Sequence, residues 1–542
     1  MSTTIEYETP ARTGLSPFKN EQLTDFTKPE NRSAMEAALA KVKGEFGREY
    51  PLVIGGQRLT GRKTFDSINP AHKDQLLAKF QRGTKADVEA ALDAAWKAFE
   101  SWKRQPVHVR AGLLLKTAEL LRKRKHEFSA TMVYEVGKTW PEADADTAEA
   151  IDFMEFYARE AYRYAGEQPI TKVESEDNAL VYLPLGVGIV IPPWNFALAI
   201  LTGMTTAAIA AGNCVILKPS SDSPWTGYRL FALLEEAGLP AGVGNFLSGG
   251  GGEVGDPLVM SPRTRFISFT GSMEVGLHIN AEAAKHREGQ MWIKRVVAEM
   301  GGKDAIVVDR ETKNLDEAAS AVVASAFGFQ GQKCSACSRL IVDQAIYDKF
   351  MPLVVEKTKR LKMGPPEAAE TNIGPVVNEG AMKTIKQYIE KGAKEGEILT
   401  GGKVDAKEGF FIEPTIIGPV DEKSTIAQEE IFGPVLAVMK ARDFDDALRI
   451  ANDSQYGLTG AVFTDNEEKI RRANEEFFVG NLYINRKCTG ALVGVNPFGG
   501  FNMSGTDSKA GGRDYLGLFL QAKAISRKVG PQPKTVRDAK GF

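Results

Sequence analysis

Cysteine and histidine are the scarcest chemically useful residues in this chain, four and five among 542. So few cysteines over such a length do not make a disulfide framework. Cys214 and Cys488 stand alone, and His72, His108, His126, His278 and His286 all precede the one close pair, Cys334 and Cys337, so no four-ligand zinc spacing exists and no metal is expected. Net charge is also scarce: 68 basic against 70 acidic residues leave −2, with no bias toward nucleic acid. Nor is there an unbroken apolar span. Residues 189–217 are mostly apolar, but Pro192, Pro193 and Asn195 interrupt them. The helix expected over 196–211 is shorter than the roughly 20 residues that cross a bilayer. The opening MSTTIEYETPARTG has no apolar run and carries Glu6 and Glu8, which argues against a secretory or transit peptide and for a cytoplasmic home.

What is abundant is core material, 43% hydrophobic residues. Residues 1–50 are polar, and 51–83 alternate with Gly and Asn-Pro turns as a β-meander does. From 86 to 165 apolar residues recur every three or four positions, predicting helices. From 181 strand and helix alternate (VGIVI, a helix to Ala211, CVILK, YRLFALLEEAG, GNFLS, RFISFTG), predicting a parallel sheet with crossover helices. A second α/β stretch runs from DAIVVD at 304–309 to about 480, before a glycine-rich tail ending in the strand-like LQAKAISRKV. Gly250, Gly252 and Gly255 match GxGxxG, a weak dinucleotide signal because Pro257 shortens the helix that should follow.

The CxxC at 334–337 admits three readings: a thiol-redox pair, half of a metal site, or one nucleophile with an idle neighbour. Its context favours the last. PWNF (193–196), LKPS (217–220), FTGS (269–272), EMGGKD (299–304), GQKCSA (331–336) and EEIFGPV (429–435) occur in an order and spacing that resemble the aldehyde dehydrogenase superfamily over residues 50–530. The resemblance implies an α/β fold with a Rossmann-like cofactor domain, an α/β catalytic domain and a small β oligomerisation flap. Its expected boundaries are an N-terminal extension 1–50, a cofactor domain 51–167 with 185–299, a catalytic domain 300–485, and flap and substrate-anchor segments 168–184 with 486–530.

By that resemblance Cys334 is the nucleophile and Cys337 a small buried hydrophobe. A thiolate adds readily to a carbonyl, and the thiohemiacetal so formed can expel hydride. Asn195 and the Cys334 N–H supply the oxyanion donors, and Glu299 activates the water that hydrolyses the thioester. The implied cofactor is NAD. Ile191 and Trp194 line its cleft, Lys218 reaches the adenosine ribose, Gly271 and Ser272 open the helix whose N-terminus faces the pyrophosphate, and Pro193, Ser220, Gly251, Gly255, Phe269 and Met300 complete the implied cofactor set. Glu430 and Phe432 hold the nicotinamide ribose and ring. Ser221 stands where many relatives carry the glutamate that binds ribose hydroxyls, which leaves NADP open.

The tail 497–525, with Ser335 after the nucleophile, resembles the 1-pyrroline-5-carboxylate dehydrogenase subfamily, whose substrate is L-glutamate γ-semialdehyde. The resemblance gives Ser335, Gly511 and Gly512 the α-carboxylate, Phe196 and Phe519 the aliphatic chain, and Glu149 the amino side. Two adjacent glycines with a nearby hydroxyl suit an anion physically as well, since backbone N–H groups can approach it closely. Dimers at least, with hexamers compatible, are implied. The 50 residues before the resemblance leave no room for a proline dehydrogenase domain, so the upstream enzyme is expected to be separate. Rival readings are a dehydrogenase of another semialdehyde such as succinate semialdehyde, a non-catalytic protein on the same scaffold, and a CxxC redox protein.

Overall fold

The computed structural model describes residues 14–529. Two seven-stranded sheets dominate. The first has the order Arg295–Glu299, Phe266–Thr270, Val187–Ile191, Cys214–Leu217, Gly244–Phe246, Leu52–Ile54, Gln57–Leu59. Its first five strands are parallel, and the N-terminal hairpin joins antiparallel through Val53 and Phe246. Chain order runs outward one way from Val187–Ile191, then the other way from Phe266–Thr270. The crevice between these two strands is therefore the switch point at which such sheets bind ligands. The Pro192–Asn195, Gly271–Ser272 and Met300 segments all leave the sheet on this side.

The second sheet has the order Ile398–Thr400, Thr415–Ile417, Val435–Ala441, Cys337–Asp343, Asp304–Val308, Thr459–Phe463, Asn481–Ile484. Only residues 300–303 separate Glu299, the last residue of one sheet's strand, from Asp304, the first of the other's. C-terminal strand ends of the first sheet thus meet N-terminal strand ends of the second, where Cys334 precedes Cys337–Asp343 and Glu430 precedes Val435–Ala441.

Three expectations need correction. The meander is two hairpins in different sheets: Thr64–Asn69 and His72–Gln81 form a three-stranded sheet with Arg48–Tyr50. The helix expected from Phe196 begins at Ala199, because Pro192–Leu198 is taken up by the loop that crosses the crevice. The expected N-terminal extension 1–50 is not separate from the cofactor domain over its described residues, 14–50. Helix Pro29–Lys43 buries Met35, Ala38, Leu39 and Val42, at helical spacing, in the core of the first sheet.

Strand Glu176–Pro184 pairs antiparallel with Leu520–Lys528 over nine residues, and the ribbon's side chains beyond Leu520 are mostly exposed. A lone two-stranded ribbon is marginal in water. No helix of the described residues is long and apolar enough to cross a membrane.

Candidate active site

Cys334 is delivered by a strained turn. Phe329 and Gln330 both have positive φ (50° and 55°), a conformation costing a non-glycine residue roughly 1–3 kcal/mol unless its surroundings impose it. Here they do. Both side chains are fully buried, Gln330 Nε2 donates to the carbonyls of Pro375 (2.7 Å) and Gly137 (3.2 Å), and Gln332 Oε1 accepts the Val377 N–H at 2.9 Å. Asn195 is buried at the crevice and donates one amide hydrogen to the Gln332 carbonyl at 3.0 Å, leaving the other beside the nucleophile loop. Cys334 itself is half-buried, whereas Cys337 is buried and donates to the Arg339 carbonyl (3.4 Å). Only the first thiol is accessible.

The resting Cys334 is a thiol. Burial, then Asp304, Glu430 and Glu299, push it well above the usual range, against a single N–H from Ser335. The thiolate expected from the sequence is therefore not favoured in this environment.

Glu299 lies in a pocket walled by backbone. A Cβ on Gly499 would come 3.1 Å from its carboxyl, and one on Gly505 3.3 Å. Ser508 donates its hydroxyl proton to Oε1, while Oε2 is buried without a protein partner. Such an oxygen is where a water should bind. Burial raises the carboxyl to about 8, opposed by Ser508 and the Gly500 N–H. Ser508 is 209 residues from Glu299, and no local motif signals it. The two glycines of EMGGKD have steric reasons: a Cβ on Gly301 would collide with the Glu430 carboxyl, and one on Gly302 would lie 2.5 Å from the Cys334 carbonyl.

The predicted cofactor residues follow strand ends of the two sheets. Lys218 follows strand Cys214–Leu217, is 7% exposed, and finds only the Pro219 carbonyl at 3.3 Å, so burial lowers its amine to about 8. A buried ammonium with one weak partner fits an incoming ribose. Gly255, in the turn Gly251–Gly255, passes close enough that a Cβ would sit 3.5 Å from Lys218 Cε. Ser220 and exposed Ser221 follow Lys218. Ser272 caps helix Met273–Ala284, and the Gly271 N–H is held by the Glu299 carbonyl at 3.1 Å. Phe269 and Met300 pack beneath Gly276 of that helix. Ile191 ends its strand beside Phe269, next to buried Pro193. Trp194 touches Phe329 and Phe432 edge-on (centroids 6.1 and 5.6 Å). Glu430 accepts the Gly302 N–H at 3.1 Å and is raised to about 7 by burial. The donor set and the room left by glycines fit a nicotinamide dinucleotide.

The substrate side is less simply arranged. Helix Trp140–Ala165 turns Glu142, Asp146 and Glu149 toward two lysines, Lys138 and Lys333. Lys333 pairs with Glu142 at 2.7 Å, and fully buried Lys138 pairs with Asp146 at 2.7 Å. Lys138 Nζ also lies 4.6 Å from the Phe196 ring centre and 4.7 Å from that of Phe329. These lysines escaped the sequence reading, although Lys333 directly precedes the nucleophile. Glu149 is half-buried and raised to about 8 by burial and Asp146, with Lys138 opposing. Ser335 anchors its carbonyl on Thr459 Oγ1 and Cys488 Sγ (both 3.4 Å), and its hydroxyl takes no bond among the described residues.

Two assignments change. Phe519 is wholly buried, packing edge-on against Phe266 (5.4 Å) and Tyr515 (5.4 Å), at the end of an aromatic row through Tyr157. It belongs to the core rather than to an open substrate wall. The Gly511 and Gly512 N–H groups are not free, being bonded to the Tyr157 hydroxyl and the Lys509 carbonyl, both at 2.9 Å.

Residues 58–525 match the model of the aldehyde dehydrogenase family. A 1-pyrroline-5-carboxylate dehydrogenase of Geobacillus sp. is 55% identical over 512 residues, 94% of this chain and 99% of that one. The structure of a 1-pyrroline-5-carboxylate dehydrogenase from Thermus with bound NAD superposes with a TM-score of 0.93 at 51% identity, covering 95% of this chain and 100% of the other. Proline utilization A from Bdellovibrio bacteriovorus matches with a TM-score of 0.93 at 43% identity, over 97% of this chain and 54% of its own. With the cysteine turn, the crevice asparagine and the enclosed glutamate in place, the chain belongs to the aldehyde dehydrogenase family.

Proposed function

We propose that this protein oxidises L-glutamate γ-semialdehyde, the open form of 1-pyrroline-5-carboxylate, to L-glutamate with NAD. The observation that carries the substrate is Ser335: its N–H faces the Cys334 sulfur, its carbonyl is anchored, and its hydroxyl is left for a ligand. A carboxylate there meets Lys333 one residue away, and reaches the Gly511 and Gly512 N–H groups by replacing Tyr157 and Lys509 as their partners. Glu149 lies on the facing helix for the amino group. Relatives that bear this enzyme name align over nearly the whole chain.

In the proposed reaction the Cys334 sulfur adds to the aldehyde carbon as its proton passes to solvent water, and Asn195 with the Cys334 N–H holds the oxyanion. A bound nicotinamide supplies the acceptor for hydride. The thioester left on Cys334 is opened by a water whose proton passes to Glu299, at the oxygen that has no protein partner. The products are the free acid and the restored thiol. Lys218, Glu430 and the capped helix at Ser272 hold the dinucleotide, and Ser221 leaves its 2′ side without a carboxylate.

The same proposal includes a cytoplasmic location, in keeping with four free thiols, and pairing of subunits through the exposed ribbon Glu176–Pro184/Leu520–Lys528. It also includes a separate proline dehydrogenase as the source of substrate. Side-by-side turnover of L-glutamate γ-semialdehyde and succinate semialdehyde, each with NAD and NADP, tests the reading. A preference for the first with NAD is expected, and equal or better use of succinate semialdehyde overturns it.

A further inference from the structure

The N-terminal arm, residues 14–28, lies across helix Trp140–Ala165 on contacts too specific for packing alone. Two buried aspartates of that helix are occupied by it. Asp144 accepts the Thr24 N–H (2.7 Å) and hydroxyl (2.6 Å), and Asp152 accepts the Glu21 N–H at 2.6 Å. The Asn20 amide spends its two hydrogens in different places: one on Asp152 Oδ2 (2.8 Å), the other on the Val493 carbonyl (3.0 Å). The next residue, Gly494, donates its N–H to the Gly511 carbonyl at 2.8 Å. Gly494 has φ +76°, and a Cβ there would lie 3.1 Å from both Phe18 of the arm and Phe156 of the helix, whose rings meet edge-on at 5.3 Å. Gly511, also left-handed at φ +70°, is gripped on its other side by the Tyr157 hydroxyl.

We propose that Asn20 is a positioning residue for substrate specificity, bracing the loop at Val493–Gly494 so that the Gly511 peptide stays where a substrate carboxylate needs it. This rests on the substrate reading above. A left-handed glycine has no side chain to hold it, so its orientation comes from its neighbours' hydrogen bonds. Removing Asn20 leaves Asp152 Oδ1 with the Glu21 N–H, while Asp152 Oδ2 and the Val493 carbonyl both lose their partner. The arm thus influences anchor geometry without touching substrate.

The test is Asn20→Ala in the full-length enzyme, with Phe18→Leu as a second variant loosening the same loop from its packing side. For Asn20→Ala, KM for L-glutamate γ-semialdehyde should rise about fivefold, the worth of one neutral hydrogen bond, with kcat little changed. KM for propanal, which has no carboxylate, should stay put. Hydrogen exchange of the amides at 509–513 should quicken in both variants. KM rising equally for both aldehydes makes Asn20 a structural contact and overturns the proposal, as does unchanged exchange at 509–513. The two readings fail separately: indifference of the wild-type enzyme to the carboxylate sinks the substrate assignment, while the exchange measurement judges the brace without any substrate.

Discussion

The proposed reacting centre and the proposed substrate anchor are held by different means. Cys334, Asn195 and Glu299 each sit within a few residues of a strand end, on segments clamped by buried amides and close-packed glycines: the Gln330 and Gln332 amides, the Gln332 carbonyl, and the glycines that wall Glu299. Ser335, beside the nucleophile, and Gly511 and Gly512, in the tail, lie on segments far apart in sequence. Two of the three have their donors paired internally, and their loop leans on helix Trp140–Ala165 and the N-terminal arm. Chemistry common to a family can rest on short rigid motifs. Choosing one aldehyde needs a surface assembled from several segments, each free to vary without disturbing the chemistry.

The contrast breaks most severely at the nucleophile. Cys334→Ala should abolish oxidation, a loss on the order of 10⁴-fold or more. Cys337→Ala, which removes a buried thiol from a strand start, should keep most activity and cost about 1 kcal/mol of stability. Comparable losses of activity in both would return the pair to thiol-redox chemistry.

Next in size is Glu299→Gln, with steady-state turnover falling roughly 10²- to 10⁴-fold. A burst of reduced cofactor near one per site should survive if Glu299 acts only on water; a lost burst assigns it the Cys334 proton as well. In the wild type, thioester hydrolysis should quicken as pH rises through about 8, where the carboxyl ionises. Stability moves the other way. The unfolded carboxyl loses its proton near 4.5 and the folded one near 8, so between these values rising pH favours the unfolded chain. Melting temperatures of Glu299→Gln relative to wild type should therefore be higher at pH 9 than at pH 5.

How far the sequence could be read follows the same division. The motifs around Cys334, Glu299 and Asn195 were legible because they are contiguous and resemble one family's, and the turns behind them must be tight. Parallel-sheet alternation was legible as well, since buried strands are short apolar runs. Helix Pro29–Lys43 was not, because its apolar stripe is a few residues in a charged segment and acquires meaning only against the helix Lys125–Val136 on which it packs. Ser508 and Lys138 act through tertiary neighbours, which leave no periodic trace. Phe519 shows the remaining ambiguity: an aromatic residue near an anchor loop reads alike whether it faces a ligand or, as here, Phe266 and Tyr515.

A smaller effect sharpens the anchor half. Ser335→Ala removes one hydrogen bond to a charged group, worth about 1.5–3 kcal/mol, so kcat/KM for L-glutamate γ-semialdehyde should fall roughly 10- to 150-fold. Propanal should be little affected, because Ser335 holds the Cys334 loop through its backbone, which the substitution keeps. Equal loss on both aldehydes would move Ser335 to the reacting centre and blur the distinction.

The smallest effect lies at the far end of the crevice, where the cofactor's ribose is expected. Ser221 is exposed, three residues after Lys218, and no carboxylate occupies its position. Unit charges 4 Å apart in water repel by about 1 kcal/mol, so a carboxylate beside a dianionic 2′-phosphate costs about 2 kcal/mol before screening by salt. Ser221→Glu should accordingly depress kcat/KM with NADP by roughly 5- to 30-fold. NAD presents hydroxyls that a carboxylate can accept from, so its kcat/KM should hold or improve. Raising ionic strength should shrink the NADP penalty and leave NAD unmoved, which separates repulsion from a distorted loop. A loop displaced by the longer side chain would weaken both cofactors alike at every salt concentration, and would place the ribose away from Ser221.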